Sequence, residues 1–358
     1  MLYSATDEAQ EQVGLMRRNV IVVGASAGGV EALRSLVSGL PEDLPAAVLV
    51  VLHMPAYGGS VLPAILQRSG PLPARHPAHR QALEESVVWV APPDHHLVLV
   101  DHEIALTRGP RENGLRPAAD VLFRSAARAL GARVIGVVLS GVLDDGTAGL
   151  SAIAARGGTT VVQSPEDALY PGMPTSAIEH VAVEHIVPIA DMPELLVRLC
   201  KEEIIEVKRP VSPLLAIEAD MALMDGEAMN EDDRPGRPSG FSCPDCNGVL
   251  WEIHDGGMIR YRCRVGHAWS AESLLGEQSQ QLDGALWMAL RGLEEKAALA
   301  RTLAERAEER VSPLTATRFR EQAEDASHAA SLIRTMLEAH LGLPDQLSGD
   351  AAEADGGI

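Results

Sequence analysis

Over the first two hundred or so positions, apolar residues fall in short, unbroken runs. Those at 19–23, 46–52, 87–90, 97–100, 134–139, 159–162 and 185–189 are dominated by Val, Ile, Leu and Ala. Stretches with helical spacing lie between several of them, including 118–130 and 147–155. Runs without polar alternation predict strands buried on both faces, and intervening helices predict a parallel sheet covered on both sides. The expectation is an α/β fold with a doubly wound, mostly parallel sheet spanning about 19–200. The close pair of runs around Asp94 and Asp101 predicts a hairpin excursion from that sheet.

The pattern changes after Cys200. Residues 201–240 carry Pro, Gly and the run Glu231-Asp232-Asp233, and read as an acidic linker with a short helix near 214–224. A compact Cys/His segment occupies 241–276. Beyond it, apolar positions at Leu282, Leu286, Ala289, Leu293, Ala297 and Ala300 predict a long helix, which Ser312-Pro313 breaks. A second helix, with Ala330, Ile333 and Leu337 on one stripe, completes an α-helical hairpin over 277–342. Residues 1–18 read as a disordered leader and 343–358 as a disordered tail.

The sharpest local feature is at 24–29. A buried run, 19–23, is followed by Gly24-Ala25-Ser26-Ala27-Gly28-Gly29 and then by a helical pattern. A serine flanked by small residues at a strand-to-helix turn is exposed beside free N–H groups, which suits a nucleophile elbow. The competing reading is a dinucleotide-binding first turn. That motif wants a glycine where Ser26 stands and an acidic residue at the end of the second strand, where His53 stands. An activated serine needs a base, and the base an orienting acid. His53 follows the second run, and Asp145 follows the run at 134–139. Strands of a parallel sheet end on one edge, so Ser26, His53 and Asp145 are expected there together. Taken singly, each has an ordinary reading as turn residue, loop histidine or helix cap.

Composition narrows the classes. The chain has 358 residues, 46% of them hydrophobic but only 3% aromatic, so the core must be mostly aliphatic. A net charge of −20 speaks against a nucleic-acid partner. No apolar run is long enough to span a bilayer and no signal-peptide core precedes the first strand, so a cytoplasmic protein without membrane insertion is expected. Of the four cysteines, Cys243, Cys246 and Cys263 cluster with His267 as C-x2-C and C-x3-H. Two such knuckles predict a structural, tetrahedral Zn²⁺ in a zinc ribbon. A redox C-x2-C is the alternative, but no thioredoxin-like pattern surrounds it. Arg260, Arg262 and Arg264 alternate along the ribbon and read as a solvated strand face, with an acidic partner as the alternative.

Five motifs occur in order: Gly24-Ala25-Ser26-x-Gly28-Gly29, His53-Met54-Pro55, Arg116-Pro117 with Asp120, Asp145-Gly146 and Gly172-Met173-Pro174. Together they resemble the catalytic domain of the chemotaxis protein-glutamate methylesterases, the CheB family. The resemblance covers roughly half of the chain. It implies a triad of Ser26, His53 and Asp145, oxyanion donors at the backbone of Ala27 and Val142, and Met54, Arg116 and Met173 as substrate-cleft candidates. It also implies demethylation of glutamate methyl esters, with deamidation of some glutamines, on a methylated chemoreceptor or similar helical signalling protein. No catalytic cofactor is implied. Two positions depart from the family pattern: Ala27 stands where Thr is common, and Val142-Leu143-Asp144 where Met-Gly-Asn is common. Asp144 is therefore a second candidate for orienting His53. Only about eighteen residues precede the first strand, so the receiver domain of regulated members is expected to be absent. The C-terminal module is expected to serve regulation, targeting or homodimer formation through its helices. A non-catalytic adaptor and a general small-ester hydrolase are the competing functions.

Overall fold

The computed structural model of the chain describes residues 15–56, 58–205, 209–224 and 236–340. It divides into two units, one ending at Leu275 and one starting at Gly276. Sixteen strands occur among the described residues. They are β1 Leu15–Arg17, β2 Val20–Ala25, β3 Ala47–Leu52, β4 Ala74–Arg75, β5 Gln81–Ala82, β6 Val88–Val90, β7 His96–Val100 and β8 Glu103–Thr107. The series continues with β9 Val134–Val138, β10 Thr159–Gln163, β11 His185–Val187, β12 Glu203–Ile205, β13 Arg237–Ser242, β14 Val249–Asp255, β15 Met258–Cys263 and β16 Ala268–Ser270. The helices are α1 Gly29–Ser38, α2 Leu62–Ser69, α3 Ala119–Leu130, α4 Thr147–Ala155, α5 Gly172–His180, α6 Met192–Lys201, α7 Pro213–Ala222, α8 Ala271–Glu309 and α9 Pro313–His340.

The main sheet has seven strands in the order β11-β10-β9-β2-β3-β6-β4, every pair parallel. Its strands are aliphatic on both faces because both faces are covered. Ile21, Val23 and Ala25 of β2 join one core with Leu33 and Leu36 of α1, Leu66 of α2 and Leu195 and Leu196 of α6. Val20 and Val22 point the other way, into a core with Leu122 and Phe123 of α3, Leu150 of α4 and Ala177 of α5. Each fully buried aliphatic side chain contributes about 1.5–3 kcal/mol. The chain leaves β2 for β3 on one side and later returns to β9 on the other. A crevice therefore opens at the carboxyl ends of these strands, where the winding direction reverses.

The expected hairpin is β7 and β8, with β5 added to its edge. The leader expectation lies mostly outside the described residues, but Leu15–Arg17 forms a strand paired with β12 rather than a frayed end. The tail expectation, 343–358, lies wholly outside them.

The Cys/His segment is a four-stranded antiparallel sheet, β13-β14-β15-β16, and it packs against the large sheet domain. Arg260 and Arg262 are buried in that contact, not solvated. Arg262 Nη2 lies 2.9 Å from Glu112 and 2.8 Å from Glu218, and Arg260 makes two bonds to Glu218. Arg124 of α3 pairs with Glu112 and approaches Glu218 to 3.5 Å. The acidic partner of these arginines is the chain itself, while Arg264 stays exposed.

In the second unit, α8 and α9 meet along Leu290, Ala330 and Leu337, flanked by Leu286, Leu293 and Ile333. Leu290 holds the place that the sequence pattern assigned to Ala289, which is exposed, as is Leu282.

Candidate active site

Ser26 follows β2 directly. Its N–H donates to Ser140 O, and its own carbonyl accepts from Gly29 N–H, closing the turn into α1. Gly28 makes this turn feasible: it has φ +72, and a Cβ there would lie 2.7 Å from Ser140 Oγ. Gly141 allows the loop after β9 to press against Ser26, since a Cβ there would come within 2.9 Å of Ser26 Cβ. Ser26 is half-buried, and among the described residues its hydroxyl makes no hydrogen bond to protein. No protein acceptor engages the backbone N–H of Ala27, Gly28 or Val142 there either. Helix α1 has no side-chain cap, so its first N–H groups keep their partial positive charge for an incoming oxygen.

His53 follows β3, whose Leu52 is paired with Ala25, and its N–H donates to Ala25 O at 3.1 Å. Ser26 and His53 therefore leave adjacent strands at the same level. His53 Nε2 is 2.7 Å from Asp145 Oδ2. That contact to a carboxylate places the ring proton on Nε2 and leaves Nδ1 as the basic nitrogen.

Asp145 is 2% exposed. Burial alone would raise its pKa, but the hydrogen bond and charge of His53, with the N–H groups of Ala119 and Asp120, hold it below the ordinary carboxylate value. Ala119 N–H donates to Oδ2 at 2.6 Å and Asp120 N–H to Oδ1 at 3.4 Å, so the acid sits on the N-terminus of α3. Asn113 adds a bond from Nδ2 to Oδ1 at 3.3 Å. Asp145 thus caps a helix other than the one it precedes. Asp120 accepts from Gly146 and Gly149 at the start of α4, and its carboxyl is pushed up by burial and by the Asp145 charge.

Asp144 does not reach His53. Its Oδ1 accepts from Ser270 Oγ at 2.8 Å and Ser273 Oγ at 3.0 Å, and burial raises its pKa. Leu143, where the family pattern has Gly, takes φ +60, a conformation that costs a non-glycine residue about 1–2 kcal/mol. The cleft candidates are drawn less closely together. Arg116 is committed to Asp94, with Nε at 2.9 Å and Nη2 at 2.6 Å, and to the carbonyls of Arg108 and Gly109. Met173 is fully buried under Gly24 and Gly141, and Met54 packs on the core beside α1. Ser140 is a site residue that reads in sequence as an ordinary strand end: its Oγ donates to Ala27 O at 2.8 Å and accepts from Tyr170 N–H at 3.0 Å. A cavity of about 280 Å³ lies behind the acid, lined by Asn113, Asp144, Ser176, His180, Trp269 and Ser270. Neither Ser26 nor His53 lines it.

The CheB methylesterase family model matches residues 21–196. A Leptospira interrogans protein, provisionally named a protein-glutamate methylesterase/protein-glutamine glutaminase, is 34% identical over 185 residues, which are 51% of this chain and 96% of that one. The chain belongs to the CheB methylesterase family. A Methanosarcina mazei relative, protein-glutamate methylesterase/protein-glutamine glutaminase 2, is 34% identical over 51% of this chain and 52% of its own length. The chain thus spans about half the length of that curated relative. The Thermotoga maritima CheB methylesterase catalytic domain is similar at 29% identity and a TM-score of 0.49, covering 51% of this chain and all of that one. The family match covers the sheet that carries Ser26, His53 and Asp145, and leaves the ribbon and hairpin outside it.

In the ribbon, Cys243, Cys246, Cys263 and His267 bring one ligand atom each within 4.8 Å of the others, a cluster that could hold a metal ion. Cys243 Sγ is 3.7 Å and Cys263 Sγ 3.5 Å from His267 Nδ1, and Cys246 and Cys263 sulfurs are 3.7 Å apart. Among the described residues no helix is long and apolar enough to cross a membrane.

Proposed function

We propose that the chain is a serine hydrolase that removes methyl esters from protein glutamate side chains, and that the same site deamidates glutamine. The observation that carries this reading is the His53–Asp145 pair, at 2.7 Å, emerging beside an unpartnered serine hydroxyl at the switch point of the sheet. His53 Nδ1 takes the Ser26 proton as Oγ attacks the ester carbonyl. Asp145 holds the ring in the tautomer that leaves Nδ1 basic and stabilises the imidazolium. The N–H groups of Ala27 and Val142 receive the oxyanion, a contribution on the order of 3 kcal/mol. Methanol leaves with the proton returned by His53. Water then attacks the acyl-enzyme with His53 as base and frees the glutamate. The Asp145–helix contact supports this role, because it keeps the acid ionised although buried. A methylated helical receptor is the substrate partner, and the cytoplasm the compartment. Exposed Trp287, Met288, Leu332 and Met336 on the hairpin support its use as a contact surface for a helical partner.

The metal is structural Zn²⁺. A tetrahedral ion about 2.3 Å from sulfur and about 2.0 Å from nitrogen spaces its ligand atoms roughly 3.5–3.8 Å apart. The cluster distances of 3.5 and 3.7 Å fit that spacing. Hydrogen bonds from Cys263 and His267 hold the Cys243 thiol below the ordinary cysteine value, although burial opposes this.

The test uses methanol release from methylated receptor membranes, together with labelling by a fluorophosphonate serine reagent. Wild-type chain should turn over and be labelled at Ser26, and Ser26→Ala should do neither while keeping its melting temperature. Wild-type turnover by Ser26→Ala would overturn the reading.

A further inference from the structure

Residues 111–113 run alongside β16 of the ribbon. Ala268 N–H donates to Arg111 O, and Asn113 N–H donates to Ala268 O at 2.7 Å. This alignment fixes the side chain of Asn113. Its Oδ1 accepts from Ser270 N–H at 2.8 Å, so its amide nitrogen must face the other way, toward Asp145 Oδ1. The neighbouring carboxylate is gripped from the end of that strand and from the first turn of α8. Ser270 Oγ and Ser273 Oγ both donate to Asp144 Oδ1, and Ser273 N–H donates to Ser270 Oγ as α8 begins. Beneath these contacts, the buried Arg262 ties Glu112, one residue before Asn113, to the ribbon.

We propose that the ribbon is a working part of the esterase site: through Ser270 it orients Asn113, and Asn113 positions Asp145 for His53. Asp145 has two oxygens and one of them must meet His53 Nε2. The Asn113 donor shares the other oxygen with the Asp120 N–H and, together with the Ala119 N–H on Oδ2, keeps the carboxylate from rotating. Ser270 and Ser273 pin the preceding residue, so the loop after β9 cannot withdraw. The residues are positioning residues, since they act through Asp145 and Asp144. The proposal rests on the triad reading above. It adds to that reading a component that lies outside the stretch matched by the family model.

The experiment compares full-length wild type, Ser26→Ala, Asn113→Ala, Asn113→Asp and the double variant Ser270→Ala/Ser273→Ala. For each, kcat, KM, the pH profile of kcat/KM and the melting temperature are measured on a soluble glutamate methyl ester peptide. A misplacement of the acid by a fraction of an ångström or more should cost on the order of 10–100-fold in kcat. Asn113→Ala should show that loss with KM within about twofold, and with the acid limb of the pH profile moved, because His53 loses a correctly aimed partner. Asn113→Asp keeps the acceptor for Ser270 but sets a second carboxylate against Asp145, so it should be at least as damaging as alanine. A merely structural role predicts the reverse order. The double serine variant should lower kcat by about 5–10-fold while the Ser270 backbone still holds Asn113. Unchanged kcat and pH profile in Asn113→Ala and in the double variant, with Ser26→Ala inactive, would overturn this proposal and leave the esterase reading standing. Wild-type turnover by Ser26→Ala would overturn both.

Discussion

Glu218 is the residue whose alteration should be felt most in the stability of the first unit. It lies on α7 and is 1% exposed. Its carboxylate takes bonds from Arg260 at 2.8 and 3.1 Å and from Arg262 at 2.8 Å, with Arg124 Nε at 3.5 Å. Burial opposes its ionisation, yet the charges of Arg260, Arg124 and Arg262 hold its carboxyl far below the ordinary value. Glu218→Gln keeps the shape and removes the charge. It leaves three buried guanidiniums with one shared anion fewer, a change of the kind that costs about 3–5 kcal/mol. Set against a typical domain stability of about 5–15 kcal/mol, that is a large fraction. Urea unfolding of the full chain, followed by tryptophan emission, should show the loss as a lower midpoint at unchanged slope. The half-exposed pair of Arg75 and Glu84 provides the control, and Glu84→Gln should cost less than about 1 kcal/mol. The pH dependence has a fixed sign. A carboxyl whose folded pKa is depressed contributes fully above its unfolded value, near 4.5, and loses that contribution as pH falls toward the folded value. Glu112 is displaced in the same direction. Wild type should therefore weaken steeply below about pH 4.5, and Glu218→Gln should weaken less steeply. A loss under about 1 kcal/mol at neutral pH would refute the reasoning, because the ion pairs would then only offset their own desolvation.

Asp145→Asn should lower kcat on the order of 10³–10⁴-fold in methanol release, because an amide favours the wrong imidazole tautomer; Asp144→Asn should be far milder, and the opposite order would refute the choice of acid. Gly141→Ala should cost about 1–3 kcal/mol in thermal melting and slow ester turnover. The new Cβ would overlap Met173 Sδ and lie 2.9 Å from Ser26 Cβ, and a wild-type melt would show that the loop is free to move. Elemental analysis should find one Zn²⁺ per chain, and none in Cys243→Ser. Loss of the metal should also change the emission of Trp269, which is buried in the ribbon core beside Cys243 and Cys263. An unchanged spectrum would separate the metal from the ribbon fold.

The strands and their buried faces were legible in sequence because a sheet covered on both sides leaves continuous aliphatic runs, as in 19–23 and 46–52. Their carboxyl ends could be read too, and these bring Ser26, His53 and Asp145 to one edge. What hid from sequence was pairing at long range. Arg260 and Arg262 read as surface charges because their partners, Glu112 and Glu218, lie about 150 and 40 residues away. Nothing in the tripeptide Glu112-Asn113-Gly114 distinguishes a turn from a residue that braces an acid. Arg116 carried a motif, but not the knowledge that Asp94 would claim its guanidinium. Leu290 was missed for Ala289 because helical periodicity is blurred by one position where alanines surround the seam.

The bond between Glu112 and Arg262 also has a meaning in time. A ribosome makes the sheet domain first, and Ser26, His53 and Asp145 are all joined before any residue of the ribbon. The ribbon strand that holds Asn113 exists only after residue 270. At roughly 5–20 residues per second, the nascent chain carries an unbraced site, with Glu112 lacking Arg262, for several seconds or more. Synthesis order would then act as a maturation delay, with esterase competence arriving only once the ribbon has been made. Stalled chains that expose residues only through 205 should react more slowly with a serine reagent at Ser26 than chains that expose residues through 280. Equal labelling of both would show that the sheet domain matures alone.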